Sequence, residues 1–223
     1  MDEHQHHNLG EDIKDEFNEA TETIKEMAPS GKFDVMKELK DAVEVVKMKT
    51  EKIHTVAMRK SAALPALLII LAGIIAILAG EYLNIIRLSM MSPLLVAPTP
   101  ILMLLTSFLI YLVSTLGIIF VYELIGTHIF KGKGDFGQLF RVIGYGNLIL
   151  IAAIVPILRG VALVWYGIIV YEAIKHIKQL EPIKAVLTII ISMIVVSLIA
   201  AVISLLFGNI VMDIYGLGLS YFR

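Results

Sequence analysis

Apolar residues run through the chain in five long stretches between residues 62 and 207, separated by short polar connectors. A helix needs about 20 apolar residues to cross the roughly 30 Å hydrocarbon layer of a bilayer. The pattern predicts an all-α fold, an integral membrane bundle of five transmembrane helices over about 62–80, 101–125, 139–158, 160–177 and 183–207. The stretch 139–177 is too long for one span and fits two, so it reads as a helical hairpin whose first helix ends near Pro156 and which turns at Arg159 and Gly160. The stretch from Ile101 to Phe130 is about 45 Å long as a helix and should tilt or project from the membrane. Glu81 to Arg87 is too polar to span and reads as an interfacial segment.

Ahead of the spans the period changes. Ile13, Phe17, Ala20, Ile24 and Met27 recur in alternating steps of four and three, and so do Met36, Leu39, Val43, Val46, Thr50, Ile53 and Ala57. Each set draws a narrow apolar seam along an amphipathic helix. Pro29-Ser30-Gly31 breaks the two, and Ser30 can cap the second. Residues 1–60 are thus an acidic, amphipathic cytosolic arm on a membrane domain of 61–223. The seams suit a coiled coil or helical hairpin that receives a cytosolic protein partner through residues 11–58, or a helix lying on the membrane or on the protein's own cytosolic face.

Composition agrees with a membrane protein. The 223 residues are 57% apolar and 17% charged, where a soluble domain is about a quarter charged. Residues 1–60 hold 14 acidic and 10 basic side chains. No basic surplus points to nucleic acid, since the net charge is −1. The chain has no cysteine, which excludes disulfides, thiolate metal sites and a cysteine nucleophile. No signal peptide is evident at the acidic N-terminus, so the first span is expected to act as its own insertion signal.

The placement of the basic residues orients the spans. Lys47, Lys49, Lys52, Arg59 and Lys60 precede the first span; Arg87 follows it. Lys131, Lys133 and Arg141 come next, then Arg159, then Lys175, Lys178 and Lys184, then Arg223. Lys and Arg near span ends stay cytoplasmic. The alternation predicts a multi-pass protein of the cell membrane with its N-terminus cytoplasmic and its C-terminus outside, and it draws residues 47–60 toward anionic headgroups.

Candidate chemistry is sparse. Gly132-Lys133-Gly134-Asp135-Phe136-Gly137 spells a dinucleotide fingerprint but lies between two membrane helices, not in a strand–turn–helix unit, so it reads as a basic loop and no cofactor is expected. His4, His6 and His7 are the one candidate metal cluster, in a tail of a kind that more often binds weakly or not at all. His54, His128 and His176 fall near one boundary on three helices. Glu123 and Glu172 interrupt apolar runs, where a carboxylate is costly unless it faces protein or water. Glu172 and His176 are one turn apart. Depth alone predicts a cytosolic polar cluster of Glu123, Tyr145, Glu172 and His176, sealing the bundle end or receiving a partner. Asn147 should bond to a neighbouring helix. Ala72, Ala76 and Gly80, and Ser197, Ala201, Ser204 and Gly208, form small-residue ridges that favour close helix packing, within the chain or in a homo- or hetero-oligomer. No carboxylate pair, metalloprotease spacing or nucleophile–base arrangement is present in sequence.

The stretch from Lys131 to Ala185 resembles the Ypt-interacting-protein (Yip) domain family of multi-pass membrane proteins. The resemblance is carried by Gly132 and Gly134 in the loop, Phe136 after it, Gly144 and Tyr145 opening the third span, and Lys184 and Ala185 opening the fifth. Family members often carry a proline soon after the Gly-Tyr pair; here Gly146-Asn147-Leu148-Ile149 has none and Pro156 comes later. The resemblance implies five spans, a cytosolic N-terminus and no enzymatic activity. Eukaryotic members act in vesicle traffic, binding small GTPases and one another, but their N-terminal aromatic-acidic motif is absent from residues 1–60. The chain is more similar to the short prokaryotic, especially archaeal, members. A membrane-organising or scaffold protein is the reading this implies, and the alternative is a small transporter or channel subunit.

Overall fold

A computed structural model describes residues 34–91 and 101–214, together with the isolated positions 14, 18 and 21. The first amphipathic repeat apart from those three positions, the break at Pro29-Ser30-Gly31 and the three N-terminal histidines lie outside the described residues, as does the packing of Ser204 and Gly208. The described residues form helices α1 (Val35–Val46), α2 (Thr50–Met58), α3 (Ala63–Met91), α4 (Ile101–Leu124), α5 (Phe136–Gly146), α6 (Pro156–Ile177) and α7 (Pro182–Ile214). A 3₁₀ turn, Lys60–Ala62, leads into α3; α4 continues into a π-helical turn, Ile125–Ile129; α5 continues into a 3₁₀ segment, Asn147–Ile154. Five of these helical runs are long and apolar enough to cross a membrane: Lys60–Arg87, Leu104–Ile129, Phe136–Ile154, Pro156–Ile177 and Pro182–Ile203.

Two boundaries differ from expectation. The polar stretch from Glu81 to Arg87 stays helical as the last turns of α3. The hairpin between α5 and α6 turns at Val155, in extended conformation, and not at Arg159 and Gly160, which are helical. The cause is Pro156. Proline pushes the residue before it out of the helical region and has no N–H to lose at a helix start.

α5 is the axis of the bundle. All of its residues except Gln138 are buried, under α1, α2, α3, α4 and α6. Glycine sets the distance to α3: a Cβ on Gly144 would come within 2.6 Å of the Ala66 Cβ, and one on Gly80 within 2.5 Å of the Ala153 carbonyl oxygen. Ala76 and Gly80 thus pack as the small-residue ridge requires, but Ala72 is exposed and Gly73, against Asn147, takes its place. α7 departs further. Ser197 and Ala201 are exposed, and the packed face is Ala185, Thr188 and Ser192.

The arm is a hairpin folded onto this bundle. The expected single helix over 33–58 breaks at Lys47–Lys49, where Met48 turns left-handed (φ +57°). Asp34 caps α1, accepting from the N–H groups of Met36 and Lys37. The break changes which face is packed. α1 buries Asp41, Ala42 and Val45, and α2 buries Ile53, Val56 and Ala57, whereas Met36, Leu39 and Val43 of the expected seam point outward. Glu38 and Asp41 take the inward positions because α2 returns Lys52 and Arg59 to neutralise them.

Candidate functional site

Polar side chains concentrate at one end of the bundle, where α3 begins, α6 ends and the 131–135 loop joins α4 to α5. This is the basic end of the bundle. Hydrogen bonds there form three groups.

The first is a buried clasp. Lys178, one residue past α6, has a fully buried side chain, and Glu123 is 1% exposed. The Lys178 ammonium donates to the Glu123 carboxylate, to Thr127 Oγ1 at 2.8 Å and to the Gly134 carbonyl at 2.9 Å. Three acceptors exhaust its three N–H donors. Thr127 in turn donates to Glu123 Oε1 at 2.8 Å. The glycines of the loop follow from this lysine. Its stem crosses Gly126, where a Cβ would sit 3.4 Å from its Cγ. A Cβ on Gly132 would come within 3.0 Å of the Lys178 carbonyl oxygen, to which the Lys133 N–H donates at 2.9 Å. Gly134 has φ +74°, a left-handed conformation that aims its carbonyl at the ammonium and that other residues adopt only with strain. Asp135 then caps α5, accepting from the Gln138 N–H at 2.6 Å, and Phe136 stacks on Phe140.

The second group ties the arm to α5. Tyr145 Oη donates to Glu38, and Arg59 donates to Glu38, to Tyr145 Oη at 2.9 Å and to Asp41 at 2.9 Å. Lys52 adds a bond to Asp41 at 3.0 Å. Burial raises the Asp41 pKa, but the bonds and charges of Lys52 and Arg59 outweigh it and hold the carboxyl below its usual range. Close by, buried Arg141 donates twice to the Ala57 carbonyl, capping the end of α2. Trp165 Nε1 donates to the Val46 carbonyl at 3.0 Å at the end of α1.

The third group is on the surface of α6. Glu172 accepts from His176 at 3.0 Å and Lys175 at 3.2 Å, and the His54 ring meets His176 edge-on at 5.8 Å. His128 turns to its own helix, at 3.1 Å from the Leu124 carbonyl.

Of the four residues expected in one cluster, only Glu172 and His176 bond to each other; Glu123 bonds to Lys178 and Thr127, and Tyr145 to Glu38 and Arg59. Equal depth placed them at one end but could not set their direction around the bundle. The roles of Lys178, Arg59 and Glu38 are not legible in the sequence because their partners lie 55, 86 and 107 residues away. One signal was available for the first: a carboxylate inside an apolar run demands a cation, and the turn after the fourth span supplies one. Asn147 donates to Tyr166 Oη of α6 at 3.1 Å, the expected helix-to-helix bond. Lys184 pairs with Glu181 on the surface, and Ala185 is fully buried.

The chemistry of the site is that of a lock. A lysine with every donor engaged and no exposure is neither a nucleophile nor a ligand. No group of His, Asp and Glu that could hold a metal occurs among the described residues. A family model, that of the Yip1 domain, matches residues 48–205. That range runs from the arm's break through the clasp to the far part of α7, leaving α1 outside. No curated protein and no solved structure matches the chain.

Proposed function

The chain belongs to the Yip1 domain family, and from that premise we propose that it is a non-enzymatic membrane-organising scaffold that associates with copies of itself or with a related protein through α4 and α7. One observation carries this reading. Of the most apolar 18-residue window of each span, 56% is buried in α3 and 67% in α5, but 6% in α4 and 11% in α7. The last two present most of their surface outward, including Ser197 and Ala201, which permit close approach of another helix. The buried polar groups of the bundle support the same reading, because they fasten helix to helix. The basic end faces the cytoplasm of a cell-membrane protein in this proposal, and the arm and the Glu172 and His176 surface receive any cytosolic protein partner.

Two experiments test it. A cysteine at Ala201 in the full-length protein should cross-link to a second copy in native membranes at low expression, and native mass spectrometry should give a dimer or larger species. A monomer at every lipid ratio, with solute flux in proteoliposomes, would replace the scaffold with the transporter reading. For orientation, a cysteine at Ser220 should react with an impermeant thiol reagent from outside, and one at Lys133 should not. Lys133 is the loop position to use, since Gly134 is left-handed and closely packed.

A further inference from the structure

α1 has three faces. Around a helix of 3.6 residues per turn, Glu38, Asp41, Ala42 and Val45 turn inward to α2 and α5. Lys37, Lys40 and Glu44 form a polar face. Between these faces runs an apolar stripe that the described residues leave open: Val35 is 55% exposed, Met36 63%, Leu39 41% and Val43 41%. Four such residues in water, on a helix held rigidly to a membrane bundle, would be an unpaid hydrophobic cost of several kcal/mol at about 1.5–3 kcal/mol for each side chain fully transferred.

The stripe does not end at α1. It continues into a groove of about 220 Å³ lined by Val35, Leu39, Pro65, Leu68, Ala72 and Ile151. The last four belong to two of the apolar spans, so the groove opens on the same surface that the spans present to lipid. The one charged residue on its wall among the described residues, Glu38, is bonded to Tyr145 and Arg59. The charges of α1 are sorted to match. Asp34 caps the helix, Asp41 is paired with Lys52 and Arg59, and Glu44 with Lys47 and Lys49. Exposed Lys40 remains at the edge of the stripe, with Lys37 farther round on the polar face.

We propose that α1 is an in-plane membrane helix, with its apolar stripe immersed in the leaflet at the basic end, and that the groove between α1 and α3 seats an acyl chain of an anionic phospholipid whose headgroup meets Lys40. The occupant is a lipid and not a peptide because the groove walls are membrane spans and offer no hydrogen-bonding edge. An amphipathic helix with lysines on its polar rim is the chemistry that lies at a headgroup boundary. The family match begins at residue 48, so α1 lies outside the matched range. The hydrogen bond from Trp165 to Val46 and the bonds of Glu38 hold it at a fixed depth.

The chain's lack of cysteine allows a clean test. Single cysteines at Leu39, Val43 and Lys40 of the full-length protein, spin-labelled in nanodiscs containing phosphatidylglycerol, report depth through collision with oxygen or with an aqueous nickel chelate. Labels at 39 and 43 should favour oxygen and the label at 40 should favour nickel. Nickel access at 39 and 43 would overturn the immersion. Exclusion of both reagents with spin–spin broadening would place a second copy there and overturn it as well. For the groove, native mass spectrometry should show a phosphatidylglycerol retained by the wild type and by Val113→Phe, a lipid-facing control. Retention should fall several-fold in Ala72→Phe, which fills the groove, and in Lys40→Glu, an exposed change that leaves packing intact. Undiminished retention in Lys40→Glu would overturn the headgroup contact, and undiminished retention in a folded Ala72→Phe would overturn the groove.

Discussion

α5 and α7 are both apolar helices of one bundle, yet they are held in opposite ways. α5 is buried along its whole length, and its neighbours reach it through glycines and through side chains of five other helices. α7 is buried only near its start, at Ala185, Thr188 and Ser192; beyond Ser192 none of its described residues is buried, and none of α4 before Ile119 is. α4 and α7 are fastened to the bundle at the basic end and face outward for the rest. In lipid this costs little, because hydrocarbon tails are as apolar as the side chains they touch. The lesson is that hydrophobicity places a helix in the membrane but does not place it in the bundle. What places it is a close backbone approach or a buried polar bond, and both are concentrated around α5.

The largest effect that this contrast predicts is at the clasp, which joins α4 to the α6–α7 corner. Lys178→Met leaves Glu123 charged, buried and stripped of its cation. Removing one partner of a buried pair costs about 3–5 kcal/mol, so the detergent-solubilised variant should lose most of its thermal stability. Lys178→Met with Glu123→Leu should recover a large part of it, since replacing both partners by apolar groups avoids the stranded charge. A single variant as stable as the wild type would show that α4 is held by something else.

Glycine substitutions carry the comparison directly. Gly144→Val drives a side chain into Ala66 and should cost about 1–3 kcal/mol or more through overpacking. Gly117→Ala in α4 meets nothing within 4 Å and should leave stability unchanged or raise it by up to about 1 kcal/mol. If both substitutions behaved alike, the distinction between axis and flank would be lost. A smaller effect is expected at Tyr166→Phe, which removes the bond to Asn147 between the two arms of the hairpin. Bonds of this kind inside membranes average about 0.6 kcal/mol, and a cost well above that would mean that Asn147 also governs the 3₁₀ winding that starts at its position.

The same contrast explains what could be read in advance. Span number follows from long apolar runs, which need no knowledge of neighbours, and the hairpin's existence follows from length alone. Its turn lies at Val155, a few residues before the expected position, because Pro156 starts a helix and does not end one. The arm's seam was legible as period and illegible as direction. Met36, Leu39 and Val43 are apolar and face outward, while Asp41 is charged and faces in, an inversion that depends on Arg59 arriving from the next helix. Likewise the loop glycines were visible as a motif, but their reason, a lysine stem crossing Gly126 and Gly132, comes from a residue counted in sequence only as a topological charge.

A further effect of similarly small size concerns the pH dependence of the arm's attachment. Asp41 has its folded pKa below the ordinary carboxyl value, through Lys52 and Arg59 acting against burial. A depressed carboxyl contributes stability that is present above the unfolded value of about 3.9 and is lost as pH falls through the folded value. The arm should therefore loosen only in strong acid, and neutral to mildly acidic pH should leave it in place. Asp41→Asn should lower stability at pH 7 and flatten the acid limb below about pH 4. The magnitude is about 0.5–1 kcal/mol, because Lys52 is 37% exposed and its share is screened by water and salt. Arg59 keeps Glu38 and Tyr145 in that variant, so the hairpin should stay docked. A spin label on α1 that becomes mobile in Asp41→Asn at neutral pH would show that the arm hangs on this one carboxylate, and would move it from the locked part of the molecule to the loosely held part.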